Sequence, residues 1–152
     1  MSSELLTILM SASPVLELRG AIPTAIFLWD FSASKVYFLS VFGNFLPIIP
    51  LLFFWKYISA RLSHRIYFFN KFFAWLFEKT RKRHNHHFEI WKGLALILFV
   101  AIPLPFTGAW SGTVAAFIFG IPIWKAILMI GTGILISGLI VLLISITGLS
   151  LV

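Results

Sequence analysis

The sequence predicts an all-α integral membrane protein with two opposed re-entrant helical hairpins and two transmembrane helices, arranged as an inverted repeat. Three observations lead to this fold class. Of the 152 residues, 60% are hydrophobic and only 11% are charged, whereas a soluble domain carries about 25% charged residues. Two apolar segments are long enough to cross a bilayer, and two others are interrupted by proline and glycine. Four kinked transmembrane helices are the alternative fold.

The first interrupted segment lies near the N-terminus. Residues 5–13 are apolar but too short to span, since nine residues rise only about 14 Å against a hydrocarbon core of about 30 Å. The stretch 13–23, Ser-Pro-Val-Leu-Glu-Leu-Arg-Gly-Ala-Ile-Pro, then interrupts the helix, and 21–29 forms a second short limb. Broken backbone at membrane depth is tolerated only where it is buried in protein or lines a cavity. This stretch therefore predicts a binding site.

The first full crossing follows a polar turn. Residues 36–55 contain no charge and are long enough to span once. Pro47 and Pro50 predict a kink in the second half of this helix.

Nearly all the net charge lies in one loop. Residues 56–92 hold nine of the twelve basic residues and two of the five acidic ones, which accounts for the whole net charge of +7. The positive-inside rule explains this charge better than binding to nucleic acid, so the loop is expected to be cytoplasmic. Apolar positions at steps of three and four over 62–76 predict an amphipathic helix. It would lie on the anionic inner leaflet or pack on the protein itself.

The histidines of this loop resemble a metal motif only superficially. His84, His86 and His87 have no cysteine and only one carboxylate nearby, so a solvated turn is favoured over a metal site. No metal and no cofactor are therefore expected.

The second half repeats the first. Residues 93–124 contain no charge and are interrupted by Pro-Leu-Pro-Phe-Thr-Gly at 103–108, and 126–146 form a clean crossing. Small residues every fourth position (Gly112, Ala116 and Gly120) favour close helix packing on the second limb.

The two halves also share residues at a fixed offset. Gly20-Ala21 recurs as Gly108-Ala109, and Gly43 recurs as Gly131, both 88 positions later. The chain is thus expected to be one membrane domain over 1–152, with repeat one at 4–55 and repeat two at 93–148. If each broken segment re-enters, the repeats are inverted and the hairpins meet near the midplane.

Three sequence motifs give the chain a resemblance to a known family. The motifs are Pro14-Val15-Leu16-Glu17-Leu18-Arg19-Gly20-Ala21-Ile22-Pro23, Gly43-Asn44, and Ala101-Ile102-Pro103-Leu104-Pro105-Phe106-Thr107-Gly108-Ala109-Trp110. Through them, essentially the whole chain resembles the small multi-drug export protein family. That family looks distantly similar to the DedA superfamily of SNARE-associated (VTT-domain) membrane proteins. The resemblance implies opposed re-entrant hairpins and translocation of undecaprenyl phosphate or phospholipids, in some members driven by the proton gradient. Phe106 stands where the family commonly has glycine, so the second break is expected to be less flexible.

Glu17 and Arg19 are the candidate functional charges. The planar guanidinium of Arg19 suits a phosphate because it donates two parallel hydrogen bonds. Glu17 suits a proton or a cation, since burial of a carboxyl group favours its neutral form. A structural ion pair that ties the first hairpin to its neighbours is the alternative interpretation.

The remaining candidate site residues are polar groups and helix breakers near the two interruptions. Helices that begin after each glycine would aim backbone N–H groups at an anion. The indoles at predicted helix ends, Trp29, Trp55, Trp91 and Trp124, are expected to be interfacial anchors instead. The additional site residues are Gly20, Asn44, Pro103, Pro105, Thr107, Gly108, Trp110 and Thr113.

The predicted function is translocation of an anionic lipid-linked phosphate or phospholipid across the cytoplasmic membrane, coupled to protons. Proton-coupled export of lipophilic cations is the first alternative, and a structural membrane protein without transport is the second. An enzyme is not expected, because the hydrophobic segments contain no histidine and no aspartate with which to build a membrane hydrolase. The expected partners are membrane lipids and a second copy of the chain in a homodimer, with no nucleic acid.

Overall fold

The computed structural model describes residues 2–62, 71, 86–104 and 107–149. Within these ranges the chain is all α-helical, with no strand, as the hydropathy predicts. Two stretches, Ala33–Ile58 and Ile123–Gly148, are long and apolar enough to cross a membrane. The helices are α1 (Ser3–Ala12), α2 (Glu17–Trp29), α3 (Ala33–Phe45), α4 (Ile48–Leu62), α5 (His86–Ala101), α6 (Ala109–Ile118) and α7 (Ile123–Leu149).

The first interrupted segment is a helical hairpin, hairpin one, made of α1, turn one (residues 13–16) and α2. The two helices pack against each other and both pack on α3. The Ser13 hydroxyl donates to the Met10 carbonyl (2.7 Å) and accepts from the Leu16 amide (3.3 Å), so it closes turn one. Such local bonds from a serine side chain replace those that the backbone loses where a helix stops.

The interruption is shorter than the predicted 13–23. Helix α2 already begins at Glu17, and Pro23 lies inside it. A proline removes a single backbone donor, and here the helix continues through it to Trp29. The prediction that Pro23 helps to break the helix was therefore wrong.

The first crossing is kinked where predicted. Helix α3 ends at Phe45, and α4 resumes at Ile48 after a turn at Leu46 and Pro47. Proline interrupts the hydrogen-bond ladder of a helix because it has no N–H. The two helices together form the apolar stretch that can span a membrane.

The second interrupted segment is also a helical hairpin, hairpin two, made of α5, turn two (residues 102–108) and α6. Helix α4 extends into the predicted loop as far as Leu62, and α5 begins within it at His86. Apart from residue 71, the rest of the predicted amphipathic helix lies outside the described residues, as does His84.

Two matching ion pairs join the first helix of each hairpin to the helix that follows the hairpin. Glu4, in the first turn of α1, pairs with Lys35 in the first turn of α3 (2.6 Å). Glu89, near the start of α5, pairs with Lys125 near the start of α7 (3.6 Å). Each broken segment therefore doubles back, so that its two ends lie at the same end of the molecule.

Helices α3 and α7 each have one glycine that lets the backbone of their hairpin's first helix approach closely. A Cβ on Gly43 would lie 2.5 Å from the carbonyl oxygen of Ile8, and a Cβ on Gly133 would lie 3.0 Å from that of Ile97. The sequence pairs Gly43 with Gly131, but Gly131 faces the ring of Phe45 instead. The partner that meets the preceding limb as Gly43 does is thus Gly133.

The packing between the halves brings the hairpins together. Helix α2 packs on α7 of the other half, α6 packs on α4, and the crossing helices α3 and α7 contact each other. The core between them is built from side chains that are almost wholly buried, and branched aliphatic residues dominate it. Its largest members are Leu18, Ile22, Ile48, Leu96, Ile130 and Ile134.

Candidate functional site

The turns of the two hairpins meet, and each binds backbone groups of the other. Arg19, in the first turn of α2, donates from Nη1 to the Leu104 carbonyl and from Nη2 to the Thr107 hydroxyl (3.4 Å). In the opposite direction, the Trp110 indole donates to the carbonyl of Ala12, the last residue of α1 (3.1 Å). At each break in a helix, some backbone carbonyls lose their helical hydrogen-bond partner. Here the other hairpin supplies that partner.

The carboxylate of Glu17 lies at the start of α6. One oxygen, Oε1, accepts from the backbone N–H of Trp110 (3.4 Å), while Oε2 lies 3.6 Å from Nη2 of Arg19. The N-cap residue of α6 is Gly108, which has no side chain to cap the helix. Glu17 therefore acts as the cap from the other hairpin, where the positive end of the helix dipole favours a carboxylate.

Backbone conformation fixes both residues at this contact. Glu17 has φ +48°, an unusual value for a residue with a side chain, and such conformations collect at functional sites. Gly108 has φ +149°, and a Cβ there would clash with the Glu17 carboxylate, reaching 2.7 Å from its Cδ. Glycine is favoured at 108 because a residue with a side chain would be strained at this φ, and a Cβ would also displace the Glu17 carboxylate.

Arg19 is the more accessible of the two charges. Its side chain is 23% exposed, compared with 8% for Glu17. Its Nε is buried and has no hydrogen-bond partner among the described residues. Both terminal nitrogens of the guanidinium already bind oxygen acceptors in turn two.

A cavity of about 430 Å³ opens between the two turns. Its volume falls within the range of small-molecule sites, roughly 300–1,000 Å³. The apolar part of its lining comes from turn one and from the Trp110 ring, and the polar part comes from both hairpins. The lining residues are Pro14, Val15, Leu16, Glu17, Arg19, Thr107, Trp110 and Ser111.

Comparison with known protein families gives a match. The model of the family described as "putative small multi-drug export protein" matches residues 17–140. The chain belongs to the small multi-drug export protein family. The matched range begins at Glu17 and contains α2, α3, α4, all of hairpin two and α7 as far as residue 140. It therefore covers Glu17, Arg19 and their partners in hairpin two. Curated proteins and solved structures give no match to the chain.

The structure brings five of the predicted site residues of this export-family chain into direct contact: Glu17, Arg19, Thr107, Gly108 and Trp110. Gly20 lies beside them but serves the packing within hairpin one, since a Cβ there would lie 2.9 Å from Cδ2 of Leu16. Pro103 lies in turn two and does not line the cavity. Pro105 is outside the described residues.

Asn44 and Thr113 lie away from the cavity. Asn44 is buried in α3, and its Oδ1 has no partner among the described residues. Thr113 is buried in α6, where its hydroxyl donates to the Trp110 carbonyl (2.7 Å) and accepts from the indole of Trp55 (3.2 Å).

Trp55 differs from its expected role as an interfacial anchor. Besides its bond to Thr113, its ring stacks on Phe117 with centroids 6.4 Å apart. It therefore holds α6 against α4. Trp91 and Trp124 are 69% and 62% exposed, as an interfacial anchor would be.

Sequence reasoning missed four lining residues: Pro14, Val15, Leu16 and Ser111. The first three lie within the interrupted stretch 13–23, where their proximity to Glu17 could have indicated them. Ser111 carries no sequence signal that distinguishes it from other serines in apolar helices. Among the described residues, no group of three His, Asp or Glu side chains could hold a metal ion.

Proposed function

We propose that this chain is a membrane exporter, not an enzyme, that translocates an amphiphile with a phosphate headgroup. The observation that supports it is the exposure of Arg19 inside the cavity between the hairpin turns. Both residues line this cavity, and the Arg19 side chain is 23% exposed whereas the Glu17 side chain is 8% exposed, so the cation is the more accessible charge for a ligand. Helix α2 also begins beside the cavity, and a helix N-terminus attracts anions.

On this proposal both hairpins re-enter the membrane from opposite faces. Helices α1 and α6, with ten residues each, would rise about 15 Å, half of a hydrocarbon core of about 30 Å. The doubling back of each segment supports this arrangement, as do the Glu4–Lys35 and Glu89–Lys125 pairs, which join α1 to α3 and α5 to α7. The inverted repeat is supported by the matching contacts of α2 with α7 and of α6 with α4.

Phosphate binding would exchange the partners of Arg19. The headgroup oxygens would take the Nη donors that now bind the Leu104 carbonyl and the Thr107 hydroxyl. Because those two acceptors belong to turn two, the exchange would loosen the contact between the hairpins. Opening of this contact is the step that we assign to passage of the headgroup.

Glu17 supplies a means of coupling to protons. A proton on its carboxylate would remove the charge that faces Arg19 at 3.6 Å. The site would then bind an anionic headgroup more strongly, because the neutral Glu17 carboxyl group no longer repels it. The apolar lining from Val15, Leu16 and the Trp110 ring suits the first carbons of a lipid chain.

Export of a lipophilic cation is the second candidate. It is favoured by the Trp110 ring and the Glu17 carboxylate in one cavity, since aromatic faces and carboxylates both attract organic cations. In either case we propose that the chain works as a homodimer in the cytoplasmic membrane, with loop 56–92 on the cytoplasmic side.

Two substitutions in reconstituted protein separate these candidates. With a polyprenyl phosphate as the probe, Arg19→Lys should weaken binding about tenfold, because an ammonium cannot reproduce the paired donors. Glu17→Gln should retain that binding and lose its dependence on pH. With tetraphenylphosphonium as the probe, the lipophilic-cation candidate predicts the reverse order.

The control is Lys35→Arg, a cation exchange at a residue paired with Glu4 and remote from the cavity. It should change neither probe's affinity, and thermal unfolding of each variant should show that the fold is intact. If binding of the polyprenyl phosphate is lost in Glu17→Gln but kept in Arg19→Lys, the phosphate proposal is wrong.

A further inference from the structure

A second concave surface lies at the other end of α6. A groove of about 730 Å³ runs between α4, the end of α6 and the start of α7. It lies at the end of the molecule where α5 begins, because the Lys92 ammonium donates to the carbonyl of Phe119 (3.5 Å). The cavity between the hairpin turns is at the opposite end of α6, about 15 Å away for a ten-residue helix.

The lining of this groove combines apolar walls with one cation at the rim. Lys56 is exposed and, among the described residues, has no ion pair or hydrogen bond. The described lining contains no acidic residue, and the first turn of α7 contains none either. The walls are formed by Leu52, Phe53, Phe117, Ile121, Pro122, Ile123, Trp124 and Ile127, together with Gly120.

The neighbouring lysines are engaged differently. Lys125 pairs with Glu89, and Lys92 binds the Phe119 carbonyl. Both line an adjacent cavity of about 330 Å³ that contains the Glu89 carboxylate, which would oppose an anion there. Of these two surfaces, the groove at Lys56 presents a positive charge and has no carboxylate in its described lining.

We propose that this groove binds one anionic phospholipid, with the phosphate at Lys56 and an acyl chain along the apolar walls. Trp124 is 62% exposed and Phe53 43%, as aromatic residues are where a chain passes into the headgroup region. A second copy of this chain fits less well, since the described part of this face offers no carboxylate to meet Lys56. The inference does not rest on the transport proposal, because it concerns a different surface.

Thermal unfolding of the full chain in neutral detergent tests the groove. Phosphatidylglycerol should raise the unfolding temperature, whereas phosphatidylcholine with the same acyl chains should not, because its headgroup has no net charge. A ligand of the native state stabilises it by mass action. Glycerol 1-phosphate, the headgroup without chains, should give no shift, since it cannot use the apolar walls.

Lys56→Gln keeps most of the side-chain length and should weaken the apparent affinity for phosphatidylglycerol about fivefold, the effect of one lysine near an anionic surface. Lys56→Arg should restore it. Lys35→Gln, at the other end of the molecule, is the control and should leave the affinity unchanged.

Three results would overturn the assignment. One is an undiminished phosphatidylglycerol shift in Lys56→Gln, and another is an equal loss in Lys35→Gln. The third is the absence of any shift in the wild-type chain, the outcome expected if a second copy fills the groove.

Discussion

The two hairpin turns contribute different chemical groups to the contact between them. Turn one brings charged side chains, since Glu17 and Arg19 directly follow it, whereas turn two brings backbone groups and the hydroxyl of Thr107. That hydroxyl donates to the Ile102 carbonyl (2.7 Å) and accepts from the Leu104 amide (3.1 Å), so it closes its own turn. Ser13 does the same in turn one, where it binds Met10 and Leu16.

The difference shows why neither turn is independent of the other. Glu17 caps α6, Arg19 binds the Leu104 carbonyl, and Trp110 binds the last carbonyl of α1. Buried backbone groups must find partners, and in lipid there is no water to supply them. Any ligand that competes for Glu17 or Arg19 therefore acts on both hairpins at once.

The largest expected effect comes from the tightest point of this contact. Gly108→Ala should lower the free energy of unfolding by about 3 kcal/mol, because it places a Cβ at a φ of +149° and displaces the Glu17 carboxylate. Denaturant unfolding of the purified chain would measure it.

Gly148→Ala is the matched control, since a Cβ there meets nothing within 4 Å. It should be neutral or stabilising by up to about 1 kcal/mol, as expected for alanine in a helix. Equal effects at 108 and 148 would mean that the hairpin turns do not touch as described.

An intermediate effect tests the correspondence between the halves. Gly43→Ala and Gly133→Ala should each cost about 1–3 kcal/mol, because both push a methyl group against the first limb of their hairpin. Gly131→Ala should cost less, since it meets only the edge of the Phe45 ring, 3.1 Å away. If denaturant unfolding showed that Gly131→Ala lowers the free energy of unfolding more than Gly133→Ala does, Gly131 would be the counterpart of Gly43, as the sequence suggests.

The smallest effect isolates one hydrogen bond between the turns. Trp110→Phe keeps an aromatic ring in the cavity but removes the donor to the Ala12 carbonyl, at a cost of about 1 kcal/mol. Trp124→Phe, at an exposed indole, should change the unfolding temperature little. If both substitutions cost the same, the indole of Trp110 does not satisfy that carbonyl.

Hydropathy was sufficient to predict the helices, because length and apolar content decide what can cross a bilayer. It also identified Glu17 and Arg19, since charges are rare in such segments. The extent of the first break was wrong because proline permits a helix to continue, and α2 runs through Pro23. Whether a proline breaks or merely kinks a helix depends on its neighbours in the fold.

Other features had no sequence signal. The pairs Glu4–Lys35 and Glu89–Lys125 join exposed charges, whose partners only the doubled-back chain brings near. The role of Trp55 depends on Thr113 lying opposite it, 58 positions along the chain. Contacts at such separations are set by the packing of the hairpins and cannot be read from local pattern.

The central claim is that both broken segments re-enter the membrane so that their turns meet. A topology reporter fused after Val152 tests it most directly, with a second reporter in loop 56–92 as the internal standard for the cytoplasmic side. Two hairpins and two crossings predict that the C-terminus lies outside while the loop lies inside. Four kinked crossings predict both inside, so a cytoplasmic C-terminus would contradict the re-entrant hairpins and the inverted repeat together.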